Sequence, residues 1–211
     1  MARPRRTGLV RGRLGRATAS LAVATALAAT LAACTSDPLA EQYRAGDNKG
    51  YIAADGFTTV EIAPGDRGEG VEFAGTTEAG DQVASEDFAG RVLVVNFWYA
   101  GCGPCRAEAP QLEKAFASFD GQDVAFLGVN TSDSAAAAAA FADTYDVTYP
   151  SLITVDDRSV KLAFAERTPI NATPTTLVLD PQGRVAARII GQLPEASILE
   201  TIVRDLLAET S

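Results

Sequence analysis

The run Arg91–Trp98, RVLVVNFW, is followed after three residues by Cys102-Gly103-Pro104-Cys105. Eight consecutive residues with four β-branched or leucine side chains and two aromatics match a strand buried on both faces, as in a parallel or mixed sheet with helices on either side. Ala100-Gly101 breaks that strand, and Pro104 suits the first turn of a helix, where its missing N–H costs nothing. The two thiols therefore fall at a strand-to-helix junction. There the unpaired N–H groups and the positive end of the helix dipole favour a thiolate on the outer residue, Cys102, with Cys105 behind it.

The chain has three cysteines and no histidine in 211 residues. Without histidine there is no histidine-based triad or pH switch, and two thiols fall short of the four or so ligands of a zinc site, so no metal is expected. A disulfide across two residues closes almost no chain and would stabilise little. Redox chemistry remains.

The third cysteine belongs to the amino terminus. Six arginines lie in the first 16 residues, and Ala17–Ala33 is an uncharged run of Ala, Leu, Val, Thr and Ser ending in Leu31-Ala32-Ala33-Cys34. A basic stretch followed by about 17 apolar residues reads as a secretory signal, and its end resembles the bacterial lipobox, in which the cysteine is acylated and becomes the first residue of the mature chain. We therefore expect a signal peptide over 1–33, lipidation of Cys34, a polar tether over 34–56 and one domain over 57–208. The Arg5-Arg6 pair lacks the nearby hydrophobic motif of twin-arginine export. Formal net charge is −9, and the first acidic residue is Asp37. The body beyond the leader is thus more acidic still, which disfavours nucleic acid as a partner.

Along the domain, Phe57–Ile62 and Val71–Gly75 read as short strands separated by a Pro64-Gly65-Asp66 turn, and Ser85–Phe88 as one helical turn. Leu112, Phe116 and Phe119 give one apolar face to the helix after the cysteines, which Pro110 should kink. Val124–Asn130 is a second apolar strand. Asp133 or Ser134 caps the alanine-rich helix that follows, with Phe141 and Tyr145 in its stripe. Ser151–Val155 is a short strand and Val160–Phe164 a helical turn. Thr175–Asp180 and Arg184–Ile190 form a hairpin around Pro181-Gln182-Gly183, and Leu199, Ile202, Val203 and Leu206 mark a closing amphipathic helix.

The block Val94–Pro110, containing Trp98, Cys102 and Cys105, resembles the active site of the TlpA/ResA branch of the thioredoxin superfamily. Ala172-Thr173-Pro174-Thr175 resembles its cis-proline loop, residues 75–90 its amino-terminal hairpin, and residues 147–165 its central insert. The resemblance implies an α/β thioredoxin-like fold, a central mixed β-sheet flanked by helices, with an N-terminal β-hairpin and a central β/α insert. It implies an extracytoplasmic thiol–disulfide oxidoreductase on the membrane, without a cofactor beyond the Cys102–Cys105 disulfide. Such a protein reduces exported proteins such as apocytochrome c and is recharged by a CcdA- or DsbD-like membrane thiol carrier. Cys102 then attacks and Cys105 resolves, while Trp98, Gly103, Pro104, Thr173 and Pro174 border the substrate. Glu108, one helical turn after Cys105, matches an acidic position of the branch and would handle protons; a solvated helix-start charge is the alternative.

Two residues depart from the pattern. Gly101 stands where the family usually has tryptophan, and Asn96 stands where thioredoxin proper has a buried aspartate. An oxidising role with the same residues, and a non-enzymatic binding role, remain alternatives. The Gly-Pro dipeptide resembles that of reducing thioredoxins.

Overall fold

The computed structural model describes residues 51–52, 58–167 and 172–209. The expected signal peptide, Cys34 and most of the expected tether lie outside them.

Nine strands are assigned among the described residues: β1 (Tyr51–Ile52), β2 (Thr58–Glu61), β3 (Ala74–Thr76), β4 (Gln82–Ala84), β5 (Val92–Trp98), β6 (Val124–Asn130), β7 (Ser151–Ile153), β8 (Thr175–Leu179) and β9 (Val185–Ile190). Four α-helices accompany them: α1 (Gly103–Ser118), α2 (Ala135–Tyr145), α3 (Ser159–Arg167) and α4 (Ala196–Glu209). Seven strands make one mixed sheet in the order β1-β2-β9-β8-β5-β6-β7, and β3 and β4 form a separate two-stranded hairpin. β5, β6 and β7 run parallel, whereas β8 is antiparallel to both β5 and β9. This is the expected thioredoxin-like architecture.

Every residue of β5 and β6 is buried, so period-2 alternation sorts apolar side chains between two cores instead of between core and water. Val92 and Val94 enter the core under α1 and α4, with Leu112, Phe119, Leu199 and Val203. Leu93, Val95 and Phe97 enter the opposite one, closed by α3 through Val160 and Phe164 and by Val71 and Phe73 ahead of the hairpin. Phe164 is fully buried and its ring meets Phe97 edge-on at 5.3 Å and Phe73 at 5.2 Å.

Several expectations need correction. Val71–Gly75 does not form a strand as a whole; only Ala74–Thr76 does, and it pairs with β4, while the strand within Phe57–Ile62 joins the main sheet beside β9. The reason lies at Val71 and Phe73, whose side chains are buried in the second core while the backbone runs irregularly. The sheet also reaches back into the segment read as tether, because Tyr51–Ile52 pairs with β2. The helical turn at 160–164 extends to the nine residues of α3. Pro110 does lie inside α1, as expected. Of the two cap candidates, Ser134 caps α2, accepting from the Ala137 N–H at 3.4 Å.

Candidate active site

Strand β5 ends at Trp98, and the chain turns through Tyr99–Gly101 into α1. Asp133 fastens this turn from the end of β6: its carboxylate accepts from the Ala100 N–H at 2.6 Å and from the Asn130 side-chain amide at 2.8 Å. Cys102 is the N-cap of α1, with extended backbone, and its sulfur accepts from the Cys105 N–H at 3.1 Å. A donor aimed at that sulfur from an otherwise unpaired helix terminus stabilises a thiolate.

Cys102 and Cys105 are joined in a disulfide, with Cα atoms 5.2 Å apart. Both residues are almost fully covered, 3% and 2% exposed, so depth does not distinguish them; direction does. The Cys102 sulfur lies 4.0 Å from the Thr173 carbonyl oxygen, on the loop whose Thr173–Pro174 bond is cis, as expected. Cys105 instead faces an internal crevice shared with Asn96, Leu112 and Tyr149. Gly101, Gly103 and Pro104 are exposed around Cys102. A Cβ on Gly101 would meet the Tyr99 ring at 3.4 Å, so Tyr99, 36% exposed, stands beside the position where the family carries tryptophan.

Trp98 does not border the substrate side. It is 5% exposed, packs with the two cysteines and Ala138, and meets Phe141 at a tilt, with centroids 4.3 Å apart. Its indole N–H donates to the Ser151 hydroxyl at 3.2 Å. That bond depends on Gly128 in β6, where a Cβ would collide with the Ser151 hydroxyl and approach the indole nitrogen to 2.8 Å. A glycine inside a strand pattern often marks such a close approach, and this signal went unused in reading the sequence.

Glu108 is 1% exposed, which removes the solvated helix-start alternative. One carboxylate oxygen accepts from the Asn96 side-chain amide at 2.9 Å and the other from the Leu193 N–H at 2.8 Å. Asn96 also donates to the Thr176 hydroxyl at 3.0 Å. Asn96 thus serves as a donor that orients the carboxylate. Burial pushes the Glu108 pKa up to about 7, against the lowering effect of the two hydrogen bonds. The Tyr149 hydroxyl is pushed upward by burial and, secondarily, by the charges of Glu108 and Glu113.

A profile of the AhpC/TSA family matches residues 68–188, from the segment before the hairpin to β9. The chain belongs to the AhpC/TSA family. Within this family it is similar to the thiol-disulfide oxidoreductase ResA of Bacillus subtilis, 29% identical over 119 residues, which are 56% of this chain and 64% of that protein. The chain thus spans just under two thirds of that relative. ResA of Geobacillus kaustophilus is 27% identical over 149 residues, 71% of this chain and 83% of that one. Among solved structures, a DsbF homologue from Corynebacterium diphtheriae superposes with a TM-score of 0.62 at 27% identity, over 74% of this chain and 97% of that one. These relatives agree with the TlpA/ResA resemblance of the cysteine and cis-proline blocks.

Proposed function

We propose that this chain, a thiol–disulfide oxidoreductase, works outside the cytoplasm as a reductant of disulfides in exported proteins, apocytochrome c among them, and is held to the membrane by a lipid on Cys34. The observation that carries the reading is the Cys102–Cys105 disulfide at the start of α1, with the Thr173 carbonyl 4.0 Å from the Cys102 sulfur. The relatives named above support the chemistry; the basic leader and the Leu31-Ala32-Ala33-Cys34 sequence support export and anchoring.

In the reduced protein the Cys102 thiolate attacks one sulfur of a substrate disulfide. That S–S bond breaks, the other substrate sulfur leaves as a thiolate, and a mixed disulfide remains. Cys105 passes its proton to Glu108 and attacks the Cys102 sulfur. The mixed disulfide breaks, the second substrate sulfur leaves and takes up a proton, and two electrons have moved from protein to substrate. Cys105 is buried among apolar groups that disfavour its thiolate, so a neighbouring acceptor with a pKa near 7 suits the step. The dithiol is regenerated by a CcdA- or DsbD-like membrane carrier.

The surroundings of Cys102 support the reducing direction. Gly103 and Pro104 supply no side-chain donor, and Arg106 donates to the Ala100 carbonyl at 3.1 Å. A strong oxidant needs a reduced form that is strongly stabilised, and among the described residues the Cys105 N–H is the one donor placed on the Cys102 sulfur. Substitution of Cys105 by Ser tests the assignment: this variant should accumulate mixed disulfides through Cys102 with exported proteins, and Cys102→Ser should accumulate none. The reverse pattern would exchange the two roles.

A further inference from the structure

Beside the disulfide, on the side of the insert helix, a groove of about 420 Å³ opens between α3 and the cis-proline loop. Phe97 forms its floor, Ala172 and Thr173 one wall and Leu162 the other, with Arg158 and Lys161 on its rim. Thr173 belongs both to this groove and to the surroundings of the Cys102 sulfur. A substrate segment paired to the Thr173 backbone therefore runs into the groove within a few residues of its cysteine, at roughly 3.3 Å per extended residue.

Two features of the groove are not needed for disulfide exchange itself. Leu162 is 61% exposed, the most exposed large apolar side chain among the described residues. Arg158 and Lys161 stand on a strongly acidic chain, yet no carboxylate lines the groove and neither cation has an ion-pair partner among the described residues. Lys161 reaches the Thr131 carbonyl at 3.4 Å, which holds its ammonium over the groove. The neighbouring Asp157 carboxylate accepts from the Ser159 N–H at 2.8 Å.

We infer that this groove is a specificity subsite of the proposed disulfide exchange, taking an extended protein segment that carries an apolar side chain and a carboxylate close to its reactive cysteine. Leu162 covers the apolar side chain, and Arg158 and Lys161 pair with the carboxylate. The general acidity of the surface repels acidic partners at long range, so the two cations select acidic residues at this one place. The inference rests on the oxidoreductase reading and narrows it.

The test uses the reduced full chain and three short peptides, each carrying one cysteine in a disulfide with the same neutral reporter thiol. They share a leucine and differ at one position near the cysteine, Glu, Gln or Lys, which is moved residue by residue along either side. At low salt the Glu peptide should react at its best position roughly five- to tenfold faster than the Lys peptide, as expected for one or two exposed ion pairs. The preference should shrink toward unity at high salt. In a variant combining R158E with K161E the Glu-to-Lys ratio should invert, and in one combining R158Q with K161Q it should fall close to one. A ratio that is the same in wild type and both variants overturns the subsite while leaving the oxidoreductase reading intact. If wild-type protein reacts with none of the peptides, the oxidoreductase reading and the subsite fall together.

Discussion

At the scale of single residues, Glu108 joins an ordinary position to an unusual environment. A glutamate in the second turn of a helix is normally solvated, but β5, α1 and the loop at Leu193 enclose this one, and burial brings its pKa up to about 7. The folded value then exceeds the unfolded one. Between about pH 4.5 and 7 the native state holds a proton that the unfolded chain has released, so stability is greatest below that window and falls as pH rises through it. The raised pKa corresponds to a loss of at most about 3 kcal/mol across the window. Glu108→Gln should remove this slope in denaturant titrations at several pH values, and should remove from the pH–rate profile of exchange a step near neutrality. If the slope and the profile both match those of wild type, Glu108 does not take the proton. The sequence placed Glu108 on the face of Cys105 by its spacing, and Cys102 and Cys105 by their junction. It did not reveal that Asn96 and Leu193 would hold the carboxylate, because those contacts join residues 12 and 85 positions apart. Trp98, expected by resemblance to border the substrate, is turned inward for a related reason: Gly128 leaves room for its indole to donate to the Ser151 hydroxyl 53 positions away.

At the scale of elements, the longest apolar runs were the most legible. β5 and β6 are buried on both faces, and α4 buries Leu199, Ile202, Val203 and Leu206 at the helical spacing read from the sequence. The weak points were short edge elements, whose partners are chosen by tertiary contacts. Thr58–Glu61 pairs with β9, and no local pattern names that distant partner. Helix α3 has little amphipathic pattern, yet Val160 and Phe164 anchor it to the sheet. Phe164→Ala should cost about 3–5 kcal/mol in equilibrium unfolding, as for a large aromatic lost from a packed core. It should also weaken the groove beside Thr173, because α3 supplies one wall. A loss below about 1 kcal/mol would show that α3 is not fixed by this ring.

At the scale of the whole molecule, one end of the sheet carries the chemistry. Strands β5 and β6 deliver the cysteines and Asp133 to that end, and β8 begins there with the cis-proline loop. At the opposite end, Asp180 binds Arg67 at 3.2 Å and Arg184 at 2.8 Å, and Arg67 also holds Glu209 at 2.8 Å. This charged clasp ties the hairpin turn and the end of α4 to the segment before β3, away from the disulfide. The central claim concerns the direction in which electrons pass through that disulfide. It is tested most directly by the reduction potential of the Cys102–Cys105 couple, measured by equilibration with redox buffers of known poise. The proposed reducing role predicts a value near the roughly −270 mV of thioredoxin. A value near the roughly −120 mV of a strong oxidant would contradict the account and make the protein a donor of disulfides.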